Sequence, residues 1–134
     1  MEHVSFDIFL QAFKGGDAAE RDGGDVRRLL LARSEGSPDG GFVRLSTGHG
    51  EADVYGIPDE DEPLTGLMFN HVSGDAFDTI VEVARAGDLV VMPVGCRVCV
   101  VRNAQRADLP EDIADGPVEF VETGGNLLGV IAMA

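Results

Sequence analysis

Two cysteines near the end of the chain are the residues best placed to do chemistry. Cys96 and Cys99 are separated by two residues, one of which is the basic Arg97. Thiols at this spacing can close a reversible disulfide or supply half of a tetrahedral zinc site, and a nearby guanidinium favours the thiolate. Free cysteine is also among the most often buried residue types. Two reduced, inert thiols are therefore the favoured interpretation, with a redox pair and a metal site as the alternatives.

His71 and Ser73 are the other candidate groups. An imidazole titrates near neutrality, so His71 suits proton transfer beside Ser73 or a thiolate. The candidate catalytic residues are thus His71, Ser73, Cys96 and Cys99, and the candidate metal ligands are Cys96, Cys99 and His71. The structural alternatives are that His71 bonds a backbone carbonyl at a strand end and that Ser73 helps to start a helix. The sequence contains neither a nucleophile elbow nor a Walker phosphate loop.

A strand, a helix and a second strand are expected to bring these groups together. Leu64–Asn70 and Leu89–Val94 are apolar runs typical of buried strands, and Asp75 is expected to cap the helix between them. Strands joined by one helix normally run parallel, so their carboxyl ends lie on the same edge of the sheet. If the two strands are direct neighbours, about 4.8 Å apart, His71 and Cys96 converge at that edge. Ligands of open α/β sheets bind in such crevices.

The rest of the chain predicts further strands and short helices. The predicted elements are a strand over 4–12, a helix starting at Asp25, a turn at Ser37–Gly40, a hairpin of 42–45 with 51–55, helical turns at 103–107 and 109–113, and a strand over 118–122. Phe9 and Phe13 interrupt the polar side of the first strand, which predicts partial cover there. Residues 127–132 fit a terminal helix capped by Thr123 and a buried strand about equally well.

Together these elements predict an α+β fold. We expect one globular domain over 1–134, with a mixed sheet of about five to six strands and two or three helices mainly on one face. The sheet is expected to contain one βαβ unit over 64–94.

Charge is the strongest compositional signal. The 134 residues include 24 acidic and 10 basic side chains, a net charge of −14. Phosphate backbones and anionic membranes repel such a surface, so direct binding of nucleic acid or of a membrane is not expected. A basic protein partner is allowed, and opposite charge would speed its association. The alternative is that the acidity serves solubility alone, as in a GC-rich or salt-adapted genome.

Four consecutive acidic residues concentrate part of this charge. Asp59–Glu62 stands between Pro58 and Pro63, and such a run must form an exposed loop. A solvated loop is the simple interpretation. The functional ones are a site for a hard cation such as Ca²⁺, although the spacing is not that of an EF-hand loop, and a contribution to the docking surface of a basic partner.

We therefore expect a cytoplasmic protein of the binding class. No apolar run approaches the roughly 20 residues of a membrane helix, and the first residues lack the basic start of a secretion signal. The first hypothesis is a non-enzymatic inhibitor or immunity-type protein without a cofactor, which would present an acidic patch with exposed apolar residues at its centre to a basic partner. The alternative is a thiol-redox or zinc protein that uses Cys96 and Cys99 with His71. The oligomeric state stays open.

Overall fold

The computed structural model describes residues 3–4, 7–35 and 42–134, and for residues 3 and 4 it describes the backbone alone. The described strands are β1 (His3–Val4), β2 (Ile8–Lys14), β3 (Asp17–Ala19), β4 (Phe42–Ser46), β5 (Glu51–Tyr55), β6 (Leu67–Ser73), β7 (Val90–Pro93), β8 (Val98–Val100) and β9 (Val118–Phe120). The described helices are α1 (Gly24–Ala32), α2 (Ala76–Gly87), a 3₁₀ helix (Asn103–Asp108), α3 (Glu111–Ala114) and α4 (Gly124–Ala132). The predicted turn at Ser37–Gly40 lies outside the described residues.

One mixed sheet contains all the described strands. Its order is β4-β5-β6-β2-β7-β8-β9, with β1 paired to β6 and β3 paired to β2. Strands β8 and β9 pair in parallel, and the other strand pairs of the described chain are antiparallel. The predicted α+β class with a mixed sheet is therefore confirmed, although the described strands outnumber the predicted five to six.

The additional strands are short, which explains why the sequence pattern missed them. β3 follows β2 through the two-residue turn Gly15-Gly16, and both glycines have positive φ. That conformation matches the twist of paired strands and costs glycine little. β8 covers three residues and offers too little alternation to recognise by period.

The helices α1, α2 and α4 cover one face of the sheet. Their apolar side chains join those of Ile8, Leu10 and Ala12 in the main core. On the opposite face, Leu109 and α3 cover only the β7–β9 end, where Phe13 packs against them.

The terminal segment is a helix, because the hydroxyl of Thr123 accepts a hydrogen bond from the backbone N–H of Asn126 at 3.0 Å. None of the helices in the described ranges is long and apolar enough to cross a membrane.

The strands of the expected βαβ unit are not direct neighbours, which corrects one expectation. β2 lies between β6 and β7 and pairs antiparallel with both. Two strands that are each antiparallel to a third run parallel to each other, so the predicted parallel direction holds, while the adjacency on which the meeting of His71 and Cys96 depended does not. The inserted strand comes from the N-terminal part of the chain, and a local sequence pattern contains no information on such a long-range pairing.

Candidate functional site

The cysteine pair lies beyond β7, and both thiols are free. Cys96 is half-buried in the loop after β7, while Cys99 lies on β8 and is fully buried in the main core. Burial raises the pKa of the Cys99 thiol to about 12, with a further contribution from the charge of Glu119. Burial also raises the pKa of Cys96. Both environments therefore disfavour the thiolate that redox exchange and metal binding require.

His71 lies on a bulge of β6. Asn70 pairs with Asp53 and Ser73 pairs with Glu51, so β6 carries one more residue than β5 between these pairs. His71 has φ 51°, the left-handed conformation that glycine usually supplies at a bulge. Its Nδ1 lies 3.0 Å from the Oδ2 atom of Asp53, and the ring nitrogen must be the donor because an ionised carboxylate only accepts. The imidazole thus faces β5.

Asp53 is the buried member of an ion cluster on β4, β5 and β6. Its side chain accepts hydrogen bonds from Arg44 and His71, and Arg44 also lies 3.8 Å from the carboxylate of Glu51. Burial alone would raise the pKa of Asp53, but the hydrogen bonds and charges of His71 and Arg44 outweigh it and lower the pKa. The Asp53 carboxylate is therefore held ionised and orients the imidazole.

The structure does not bring His71 together with the two cysteines. β2 and β7 lie between β6 and β8, which puts roughly 14 Å between the strands of His71 and Cys99. The bonded imidazole points to β5, which is on the other side of β6 from β7. Within the described ranges, no group of three or more His, Cys, Asp and Glu side chains is arranged to hold a metal. Zinc or redox use of Cys96 and Cys99 stays a prediction without His71 as its third member.

Ser73 and Asp75 have structural partners. The Ser73 hydroxyl accepts from the backbone N–H of Glu51 at 3.3 Å, so it bonds across the strands instead of starting the helix. Asp75 is the N-cap residue of α2 as predicted, but its carboxylate makes no capping bond. It accepts instead from Thr47 and from the backbone N–H of His49, and these bonds lower the pKa of Asp75. The carboxylate thus fastens the β4–β5 loop to the start of α2.

The sheet face opposite the main helices carries a continuous line of apolar side chains. Pairing places them at one level across five neighbouring strands, in the order Phe42 (β4), Tyr55 (β5), Met68 (β6), Phe9 (β2) and Met92 (β7). We call these five residues the apolar row. Phe9 is 42% exposed, the others are half-buried, and the Phe42 and Tyr55 ring centroids are 5.3 Å apart. Four of the five, all but Phe42, line an open groove of about 360 Å³.

Polar and acidic groups border the apolar row. The next level of the sheet places Arg44 opposite Asp53 and Asp53 opposite Asn70, and the Asn70 amide lies 3.4 Å from the Asp7 carboxylate. The exposed acidic loop Asp59–Glu62 lies in the connection from β5 to β6, and the start of this connection packs toward α1, where Arg27 donates to the carbonyl of Pro58 at 2.9 Å. The row therefore has an ion cluster along one side, and the acidic loop belongs to the chain connection between two of its strands.

Sequence reasoning found parts of this face but not the face itself. The phenylalanines on the polar side of β2 predicted that other residues cover this side of the strand. In the structure Phe13 is covered, whereas Phe9 is exposed. The row becomes visible only when the register of five strands is known, and no single strand contributes more than one of its residues.

An apolar row bordered by charged groups is the candidate functional site of this chain. It suits the binding of another molecule through contact area and charge, and it contains no arrangement of a nucleophile and a base. Among known proteins, no family model, no curated protein and no solved structure matches the chain.

Proposed function

We propose that this chain is a non-enzymatic binding protein that docks a basic protein partner on the open face of its sheet. The observation that carries the proposal is the apolar row. Apolar side chains normally face the core of a sheet, and contiguous exposed apolar surface marks interaction sites in soluble proteins. An interface of this kind has apolar contacts at its centre and polar groups around them.

Charge selects the kind of partner. The chain carries a net charge of −14, and Asp59–Glu62 places four exposed carboxylates in the loop between two strands of the row. A basic segment with apolar side chains would bury the row, and its Lys or Arg side chains would be attracted by the negative charge of the chain. Two copies of this chain would instead bring two strongly negative molecules together, so charge opposes self-association.

The test starts by capturing a partner from cells of the source organism on immobilised protein. The captured protein is purified, and its affinity is measured by calorimetry at low and high salt. Wild type is compared with Met68→Asp at the centre of the row and with Met133→Asp near the chain end, where Met133 is 56% exposed. We expect a basic partner, a loss of affinity of at least tenfold for Met68→Asp, unchanged affinity for Met133→Asp and weaker binding at high salt.

Three results would contradict the proposal. The first is equal affinity of Met68→Asp and Met133→Asp for the partner. The second is a captured partner that is acidic or that binds independently of salt. The third is a wild-type dimer in sedimentation that Met68→Asp dissociates, because the face would then be an interface between copies. Circular dichroism checks that both variants are folded.

A further inference from the structure

A cavity on the same sheet face as the apolar row, but at the far end of β2, contains three of the nine arginines of this acidic chain. Its volume is about 340 Å³, and Arg21, Arg85 and Arg102 line it. These are three of the ten basic residues in the sequence. They reach it from three separate segments, namely the β3–α1 connection, the last turn of α2, and the residue before the 3₁₀ helix.

Two of the three guanidinium groups already have an anionic partner. The carboxylate of Asp88 lies 3.5 Å from Arg21 and 3.4 Å from Arg102. Gln105 donates to the same carboxylate at 3.1 Å and to the carbonyl of Leu89 at 3.1 Å, which fixes this wall of the cavity. Asp88 has φ 54°, a left-handed conformation uncommon outside glycine, and it occupies the position after α2.

Arg85 is different. Its Nε atom is shielded from solvent and has no hydrogen-bond partner in the described chain. No ion pair of its guanidinium occurs among the described residues, even though acidic side chains outnumber basic ones by 14. Asp108, the second acid at the cavity, accepts from the backbone N–H of Gly15 at 3.1 Å. A buried donor without a partner costs free energy, and native structures contain few of them.

We propose that this cavity binds a small organic anion whose charged group is held by Arg85. Because Nε is shielded, the ligand would bond the two terminal Nη groups of the guanidinium, whose parallel N–H donors match the two oxygens of a carboxylate or a phosphate. Phe13 and Val90 supply an apolar wall for the rest of the ligand, and Asp88 could accept from its hydroxyl or amino groups. The volume lies within the range of small-molecule sites.

Binding is measured by calorimetry and by amide chemical shifts, with inorganic phosphate, glycerol 3-phosphate and citrate as probes. Comparison of the two phosphates with citrate, which carries carboxylates, shows which kind of anionic group the cavity binds. The variants are Arg85→Met, which keeps an apolar stem, and Arg85→Lys, which keeps the charge without the fork. Arg97→Met is the matched control, because Arg97 is paired with Glu119 at 2.7 Å outside the cavity.

We expect saturable binding of at least one probe by the wild type, with shifted amides confined to the cavity walls around 85–90 and 101–108. Arg85→Met should weaken that binding at least tenfold, Arg85→Lys should weaken it less, and Arg97→Met should leave it unchanged. Absence of saturable binding of all three probes would overturn the proposal. So would equal binding by wild type and Arg85→Met, or equal weakening by Arg85→Met and Arg97→Met, which would indicate unspecific attraction of anions.

Discussion

At Asp53, hydrogen bonds from two donors on neighbouring strands offset the free-energy cost of burying a carboxylate. The Asp53 side chain is 6% exposed, whereas those of Arg44 and His71 are 43% and 57% exposed. The two donors therefore keep about half of their contact with water and still bond the buried oxygens. Such a site gains from charged hydrogen bonds without the full desolvation penalty of a wholly buried ion pair.

Asp53→Asn should lower the free energy of unfolding at pH 7 by about 1–3 kcal/mol, because it removes the charge that both donors bind. Because folding lowers the pKa of Asp53, its contribution to the free energy of unfolding decreases as the solution is acidified. Its stabilising contribution is complete above the unfolded pKa of about 3.9 and is lost as the pH falls through the folded pKa. Urea unfolding at pH 7 and at pH 3 should therefore show a smaller difference between variant and wild type at pH 3.

Asp17→Asn is the control for this measurement, because Asp17 is exposed on β3. Its effect should stay within about 0.5 kcal/mol at both values of pH. An equal loss for Asp53→Asn at pH 7 and pH 3 would mean that the carboxylate charge does not stabilise the fold.

The two thiols should differ in reactivity. Cys99 is fully buried and has a pKa of about 12, while Cys96 is half-buried. A disulfide reagent at pH 8 should modify Cys96 in the native protein and reach Cys99 only on unfolding, because the thiolate is the reacting form. Cys96→Ser and Cys99→Ser assign the two phases. Equal rates for both thiols, or zinc retained after purification, would restore the thiol-based alternative.

At the scale of elements, the sequence pattern predicted those helices and hairpins that form through contacts between residues close in sequence. Helix α2 could be predicted from the spacing of Phe77, Ile80 and Ala84, and the β4–β5 hairpin from its alternation and its glycine-containing loop. The insertion of β2 between β6 and β7 depends on contacts between distant segments, as does the turn of His71 toward β5. For this reason the expected meeting of His71 and Cys96 could not be checked before the strand order was known.

Two loops dock so closely that one methyl group should disrupt them. A Cβ atom on Gly50 would lie 2.0 Å from the carbonyl oxygen of Ser73. Gly50→Ala should therefore destabilise the protein by at least about 1–3 kcal/mol, because backbone must move to relieve the contact. Thermal and urea unfolding measure the loss.

Gly129→Ala is the matched substitution. Gly129 is exposed within α4, and a Cβ atom there would meet nothing within 4 Å. We expect this variant to be unchanged or more stable by up to about 1 kcal/mol, because alanine restricts the unfolded chain and favours helix. A similar loss for both variants would show that the contact at Gly50 is not the cause.

At the scale of the whole molecule, the sequence predicted the charge and not its placement. The net charge of −14 is a property of composition. The apolar row depends on the register of five strands, and the arginine cavity on the meeting of three segments. Both candidate surfaces are therefore products of tertiary structure, whereas the acidic loop at Asp59–Glu62 could be recognised directly because no fold can bury four consecutive carboxylates.

The excess of carboxylates should destabilise the free protein by mutual repulsion. Raising NaCl from about 0.01 M to about 0.1 M shortens the screening length from about 30 Å to about 10 Å, so the unfolding temperature at pH 7 should rise by several degrees. The effect should shrink toward pH 4.3, near the isoelectric point of the sequence. A variant with Asn or Gln at all four positions of Asp59–Glu62 should respond less to salt. An unfolding temperature that falls with NaCl would mean that favourable ion pairs outweigh the repulsion between carboxylates. Binding of a basic partner would then relieve no repulsion within the free protein.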